Sequence, residues 1–170
     1  MNRHTKIERQ GNYGERLVQF IYEQRGFTVE LAEDKFDHIK DMLIDGVPTE
    51  VKMQTPYYMY RNPMTGEVTP AFTVPITSTY TRKTSTNQLS KILNIPLLIF
   101  VELPRLGDYK LRVYQAPSLG NRQFSITQNK KDHRYVCGFP IRDMTLIATH
   151  DATEHKQLLD DMRSTGWNQE

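Results

Sequence analysis

Glu50 and Lys52 stand one residue apart in an apolar-rich stretch, and Asp37 and Asp41 precede them closely. Side chains two positions apart on a β-strand point to the same face, so a strand here would set the Glu50 carboxylate beside the Lys52 ammonium. Carboxylates that gather in a partly buried place raise one another's pKa unless a cation lies between them. Proteins hold Mg²⁺ with one or two carboxylates together with water and phosphate oxygens. The pattern therefore predicts a divalent-metal site with an ammonium group next to it.

The element that would position these residues is a β-hairpin that turns at Asp45-Gly46. Asp-Gly between apolar runs is a strong hairpin signal, because both turn positions require φ > 0. With a two-residue turn, Ile44 lies opposite Val47, and Asp41 lies opposite Glu50. Alternation along the strands then places five polar side chains on one face: Asp37, Asp41, Glu50, Lys52 and Gln54.

Asp37 followed by Glu50-Val51-Lys52 resembles the signature of the PD-(D/E)xK nuclease superfamily. The separation of thirteen residues between Asp37 and Glu50 is similar to that of the archaeal Holliday-junction-resolvase branch. The stretch 11–17, with its glycines and Glu15, resembles the start of the first helix in that branch. The resemblance covers roughly 11–103, and Phe36 stands where the proline of the name would be.

The resemblance implies a metal-dependent DNA endonuclease that leaves a 5′-phosphate. Asp37, Glu50 and the backbone carbonyl of Val51 would hold Mg²⁺, for which Mn²⁺ can substitute, and Glu15 would be a further carboxylate at the metal. Lys52 would orient or deprotonate the attacking water, or stabilise the negative charge of the transition state. Asp41 is a competing candidate for the aspartate, because the hairpin register favours it while the spacing favours Asp37. Glu15 has a second interpretation, a favourable interaction with the dipole of its helix.

The element order predicted from periodicity is helix, strand, strand, strand, helix, strand. Asn12 would cap the first helix, Gly26 would end it, and residues 1–10 would form a loose arm. The expected fold class is α/β, with a restriction-endonuclease-like core and a mixed sheet in a single domain, 1–170. The core would span about 11–103, an inserted β-hairpin arm 55–84, and a C-terminal β/α extension 104–170. In the extension, 134–139 and 144–148 are predicted edge strands, and a final helix would follow Asp151.

Candidate DNA contacts lie in two places outside the acidic hairpin. One is the start of the second helix, where cationic and hydroxyl groups precede free backbone N–H groups, an arrangement that binds phosphate. The other is the inserted arm, where exposed aromatic and cationic side chains suit contact with DNA, although core packing or a dimer contact explains the aromatics more simply. The predicted contacts are Arg82, Lys83, Thr84, Ser85, Gln88, Arg61 and Tyr60, and Gln88 and Lys91 are also expected to face the metal site.

Composition and charge bound the function classes. The chain has 170 residues, 38% hydrophobic and 25% charged, with a net charge of +2. Acidic residues are in excess between positions 28 and 50, and basic residues are in excess between 104 and 142. An acidic pocket beside a basic segment suits a metal-dependent nuclease, because the basic surface neutralises phosphates. Cys137 is the single cysteine, which favours a cytoplasmic, reducing setting, and no apolar run is long enough to predict a membrane span.

Three interpretations follow from the sequence. The first is an endonuclease, site-specific or acting on branched DNA and of cellular or phage origin, that forms a homodimer or higher homo-oligomer so that both strands are cut. The second is a catalytically silent nucleic-acid-binding or assembly module on the same fold. The third is a small α/β protein in which the Glu-x-Lys pattern is accidental.

Overall fold

The computed structural model describes the backbone of residues 3–33, 41–56, 58–75, 85–105, 107–128 and 135–163, and their side chains outside 3–7, 58 and 85–89. The elements follow in chain order: α1 (Arg3–Gln24), β1 (Val29–Leu31), β2 (Met42–Ile44), β3 (Val47–Gln54), β4 (Tyr58–Arg61), β5 (Val68–Pro75), α2 (Ser85–Asn94), β6 (Leu97–Glu102), β7 (Lys110–Gln115), β8 (Ser125–Gln128), β9 (Tyr135–Pro140), β10 (Thr145–Asp151) and α3 (Lys156–Arg163). Single 3-10 turns lie at Ile141–Asp143 and Thr153–His155.

The strands form two sheets. The main sheet has six strands in the order β1-β2-β3-β6-β7-β10, and the arm sheet has four in the order β4-β5-β9-β8. In the main sheet β3 and β6 pair in parallel, whereas the other neighbours pair antiparallel. A parallel neighbour requires a crossover, and here the crossover contains β4, β5 and α2. The fold is therefore α/β with a mixed sheet, as predicted, and a second, antiparallel sheet accompanies it.

The hairpin at Asp45-Gly46 forms with the predicted register. Asp45 has φ 47° and Gly46 has φ 78°, the positive values that a two-residue hairpin turn requires. Ile44 pairs with Val47, and Met42 pairs with Thr49. The paired positions end there, one step before the predicted pair of Asp41 and Glu50.

The main sheet separates two hydrophobic cores. On one face, α1 and α3 pack against β3, β6 and β7, with Val18, Val101 and Leu159 fully buried between them. On the other face, α2 and the arm sheet cover β6, where the Phe72 ring stacks on the Phe100 ring at a centroid distance of 4.6 Å. Residues of β3 that share the second face are therefore enclosed between the sheet and α2.

The first helix begins earlier than predicted. α1 starts at Arg3, so the prediction of a loose arm over 1–10 and of Asn12 as the N-cap is wrong for the described residues. The side chain of Gln10 donates a hydrogen bond to the carbonyl of Met53. This tertiary contact stabilises the helical turn around Gln10, which the local helix propensity disfavours. Glu15 consequently lies in the middle of the helix, where an interaction with the helix dipole has decayed. The end of the helix is as predicted, with Gly26 at φ 89°.

The C-terminal extension completes both sheets. β7 and β10 extend the main sheet, and β10 is an edge strand as predicted. β9 was also predicted to be an edge strand, but it lies between β5 and β8 inside the arm sheet. The inserted arm thus pairs with β9 of the C-terminal extension, which local patterns cannot reveal. No helix in the described ranges is long and apolar enough to cross a membrane.

Candidate functional site

Strand β3 presents different residues to its two faces. Glu50 pairs with Leu98, and Lys52 pairs with Phe100, in the parallel register with β6. Registered neighbours point to the same face of a sheet, so Glu50 and Lys52 lie on the face that α2 covers. Val51 points to the opposite face, where it joins the core under α1.

Glu50 is a buried carboxylate held between two ammonium groups. Only 2% of its side chain is exposed. Lys52 Nζ lies 2.9 Å from Oε1, and Lys91 Nζ, which reaches over from α2, lies 2.9 Å from Oε2. Oε2 has no partner in hydrogen-bond geometry among the described residues, so the Lys91 contact is an ion pair without a hydrogen bond. A buried charge of this kind persists only when opposite charges compensate it.

Beyond the end of β2, a side chain bonds to the backbone at the edge of β3. Gln54 O accepts a bond from Leu103 on the β6 side, so residues 51 and 53 direct their backbone groups toward β2. β2 reaches only to Met42, and beyond it the N–H of Val51 donates to Asp41 Oδ2 at 2.8 Å. The Val51 carbonyl points to the same edge as its N–H. Asp41 therefore sits beside the predicted backbone ligand.

Helix α1 carries Glu15 and approaches β3 closely from the other face of the sheet. A Cβ on Gly14 would lie 2.9 Å from Met53 Cβ, so a larger residue would push the helix away. Burial raises the pKa of Glu15, the negative charge of Glu50 raises it further, and Lys52 and Lys91 partly offset these effects. Glu15 is thus within electrostatic reach of Glu50. We call Glu15, Asp41, Glu50, Lys52 and Lys91 the lysine–carboxylate cluster.

The pKa of Asp41 reflects the excess of negative charge in the cluster. Burial, together with the charges of Glu50 and Glu15, raises the pKa of Asp41 to about 7. The hydrogen bond from the N–H of Val51 has the opposite effect and lowers this pKa in part. A carboxyl group with this pKa is partly protonated at neutral pH. A cation placed between the acids would favour its ionised form.

Lys52 carries the balancing positive charge. Burial lowers its pKa, but the attraction of Glu50, and then of Asp41 and Glu15, outweighs burial and leaves the pKa raised. Since 35% of the side chain is exposed, solvent screens part of these interactions. The ammonium therefore stays protonated at neutral pH.

The residues present fit a hard divalent cation such as Mg²⁺. Oε2 of Glu50 is a buried oxygen with no hydrogen bond among the described residues, and burial together with neighbouring negative charge raises the pKa of Asp41 to about 7. Within the described part of the chain, no three acidic, histidine or cysteine side chains are arranged to hold an ion by themselves. Mg²⁺ commonly uses only one or two carboxylates and completes its shell with water and phosphate.

Four of the predicted site residues interact electrostatically with one another: Glu15, Asp41, Glu50 and Lys52. Asp37 lies outside the described residues, as do Arg82, Lys83 and Thr84. Ser85 and Gln88 lie on α2, the helix that carries Lys91. The predicted orientation of Lys91 toward the site is confirmed by its ion pair with Glu50.

The arm residues differ in exposure. Tyr60 is only 5% exposed and belongs to the core, so its ring is not accessible for stacking on a DNA base, which corrects its prediction as a DNA contact. Arg61 is exposed and donates to the carbonyl of Gly66 in the turn of the arm. Successive side chains of a strand point to opposite faces, so Tyr60 points inward and Arg61 points outward.

Sequence reasoning missed the partner of Gln54. Its side-chain amide donates to the carbonyl of Thr73 at 2.7 Å and accepts from the N–H of Thr73 at 2.7 Å. One side chain thereby makes the two bonds of a strand pair and ties β3 to β5, two residues beyond Lys52. The alternation placed Gln54 on this face, but no local signal identifies a partner in another sheet.

Comparisons with protein-family models, curated proteins and solved structures found no match to this chain. Function is therefore argued from the chain's own residues.

Proposed function

We propose that this protein is a Mg²⁺-dependent DNA endonuclease built on a restriction-endonuclease-like core. The observation that carries the proposal is the lysine–carboxylate cluster. In it, buried Glu50 forms ion pairs with Lys52 and Lys91 and interacts electrostatically with Asp41 and Glu15. The order of elements from α1 to β6 and the parallel pairing of β3 with β6 agree with that core.

Glu50, the Val51 carbonyl and one aspartate would hold the metal. Asp41 suits the aspartate position by its contact with Val51, whereas Asp37 suits it by spacing. Glu15 would bind a metal-bound water or a second ion. When bound, Mg²⁺ polarises the scissile phosphate and lowers the pKa of a coordinated water, and Mn²⁺ would substitute for it.

Lys52 would act as a positive charge rather than as a proton acceptor. Its raised pKa keeps the ammonium protonated at neutral pH. A fixed ammonium beside the attacked phosphorus stabilises the negative charge that develops on the phosphate oxygens. It can also donate a hydrogen bond that orients the attacking water, and the cleaved end would carry a 5′-phosphate.

DNA would reach the cluster along the α2 side of β3. Arg82, Lys83, Thr84, Ser85 and Gln88 precede or begin α2, where they would meet phosphates next to the cleaved bond. Arg61 at the exposed end of the arm would contact the backbone further away. Because one such site cuts one strand, a homodimer is the expected form for cleavage of both strands.

The test is nicking of supercoiled plasmid by purified protein with Mg²⁺ or Mn²⁺. Lys52→Ala should lower the nicking rate at least about a hundredfold, because it removes a charge that acts on the transition state. The matched control is Lys110→Ala, an exposed lysine on β7 of the same sheet, which should retain the wild-type rate. Metal-independent nicking, or equal rates for the two variants, would refute the proposal.

Cleavage substrates separate the two forms of the proposal. A resolvase should cut a four-way DNA junction in preference to a matched linear duplex, whereas a site-specific enzyme should cut the duplex at a defined sequence. The thirteen-residue spacing favours the first, and the inserted arm favours the second.

A silent DNA-binding or assembly module is a second candidate, favoured by the neutralisation of Glu50 by two lysines. Such a module should bind DNA equally well with and without divalent ions. Titration calorimetry with Mn²⁺ would then give no heat that Glu50→Ala removes.

A further inference from the structure

The two oxygens of Glu50 are held differently. Lys52 lies two residues along the same strand, so the folded backbone of β3 keeps it next to Glu50. Lys91 belongs to another element, the crossover helix α2, and it meets Oε2 without hydrogen-bond geometry. The Lys91 contact is therefore the one that can be exchanged without unfolding a strand.

Oε2 is the oxygen that gains most from a different partner. A buried carboxylate oxygen without a hydrogen bond lacks part of the stabilisation that water would give it. An ammonium at 2.9 Å supplies one positive charge, whereas a divalent cation supplies two and binds the oxygen directly. Because an ammonium and a divalent cation at the same oxygen repel each other, binding of the cation favours departure of the ammonium.

Lys91 has room to leave. Its side chain is 21% exposed, so the ammonium can turn toward solvent on its flexible four-carbon stem. Its backbone is held, because its carbonyl accepts the N–H of Ile95 at 2.9 Å, and Arg122 binds the carbonyl of the next residue, Ile92, at 2.9 Å. Only the end of the side chain needs to move.

We propose that Lys91 is an exchangeable counter-ion of Glu50. A divalent cation displaces its ammonium from Oε2, and the released ammonium binds a phosphate of the DNA that the cation helps to hold. This inference rests on the proposed function, since it takes Glu50 as a metal ligand. It assigns Lys91 two effects of opposite sign: competition with the metal and attraction of the DNA.

The first measurement is Mn²⁺ affinity of the full chain without DNA, by titration calorimetry. Lys91→Met keeps an unbranched stem but removes the competing charge, so it should bind Mn²⁺ roughly three- to tenfold more tightly than the wild type, the range expected for one partly exposed ion pair. Lys91→Arg keeps the charge and should stay close to the wild type. Lys110→Met is the matched control for loss of one positive charge and should also stay close.

The second measurement is DNA affinity with Ca²⁺ in place of Mg²⁺, over a range of salt concentrations. Lys91→Met should bind duplex DNA more weakly, and the slope of log affinity against log salt should shrink by about 0.9, the loss of one phosphate contact. Tighter metal binding with weaker DNA binding is a combination that a merely structural lysine would not produce. Lys91→Gln serves as a second variant if Lys91→Met unfolds.

The outcomes separate the inference from the proposed function. If the wild type gives no Mn²⁺ heat that Glu50→Gln removes, the metal site and the inference both fail. If the wild type binds Mn²⁺ through Glu50, yet folded Lys91→Met and Lys91→Gln bind it no more tightly, the inference alone is overturned. If the salt slope of Lys91→Met equals that of the wild type, the proposed contact of the released ammonium with phosphate is refuted.

Discussion

A single buried carboxylate, Glu50, organises the charges around it. Two lysines lie 2.9 Å from its oxygens, while burial and the charge of Glu50 raise the pKa values of Asp41 and Glu15. Gathering these like charges costs free energy that the lysines only partly offset. The cluster is thus a place where stability and the proposed function oppose each other.

Asp41→Asn should make the protein more stable at high pH. The pKa of Asp41 in the folded protein is about 7, above its ordinary value of 3.8, so its neutral form favours folding. Its contribution to stability is fully present below about pH 4 and is lost as pH rises through about 7. Asparagine keeps the acceptor for Val51 without the charge, so the variant should gain about 2 kcal/mol over the wild type at about pH 8 and little at about pH 4.

Urea unfolding at several pH values measures this difference. Asp108→Asn is the matched control, because the Asp108 carboxylate also accepts a backbone N–H but is exposed. Parallel pH profiles for the wild type and Asp41→Asn would contradict the burial of an unfavourable charge at Asp41.

At the scale of elements, α2 depends on a residue far from it in the chain. The guanidinium of Arg122 is buried and donates to the carbonyls of Ile92, Leu93, Pro96 and Pro117. Two of these carbonyls belong to the last turn of α2, which has no further helical turn to satisfy them. Arg122 therefore fixes the end of the helix that carries Lys91.

Arg122→Ala should lower the free energy of unfolding by about 3 kcal/mol, because it leaves buried carbonyls without donors. Denaturant unfolding measures the loss, and hydrogen exchange should show faster exchange of the α2 amides. Arg112→Ala is the control, since this arginine is 44% exposed and lies 3.8 Å from Glu102, and it should cost less than about 1 kcal/mol. Equal losses for the two variants would show that the contacts of Arg122 do not stabilise α2.

At the scale of the whole molecule, the arm sheet joins distant parts of the chain. β4 and β5 come from the crossover, and β8 and β9 come from the C-terminal extension. Phe72 is fully buried at the joint and stacks on Phe100 of the main sheet, while Gln54 ties the sheets together beside the cluster. The two sheets are therefore expected to unfold as one unit.

Phe72→Ala should lower the free energy of unfolding by about 3 to 5 kcal/mol, the usual cost of removing a buried ring. Circular dichroism and tyrosine fluorescence should report the same transition, because the arm sheet and the main sheet share this core. Phe20→Ala, at a ring that is 49% exposed on α1, should cost less than about 1 kcal/mol. Separate transitions for the two probes would show that the sheets unfold independently.

Sequence patterns alone determined the elements that local chemistry dictates. Asp45-Gly46 strongly favours a tight turn, and Gly26 ends α1 at a positive φ. The apolar run of β6 is typical of a buried strand. The register of the hairpin, with Ile44 opposite Val47, follows from the two-residue turn. Such features depend on the backbone preferences of adjacent residues and are readable without the fold.

Only the tertiary structure decided which distant residues meet. The start of α1 depends on the contact of Gln10 with Met53. The position of β9 depends on its pairing with an arm that is inserted earlier in the chain. The neutralisation of Glu50 depends on a lysine from α2. These contacts join residues that are far apart in sequence, and their free energy comes from burial and charge pairing that no local window contains. For this reason the acids and Lys52 could be proposed from the sequence, but their balance of charge could not.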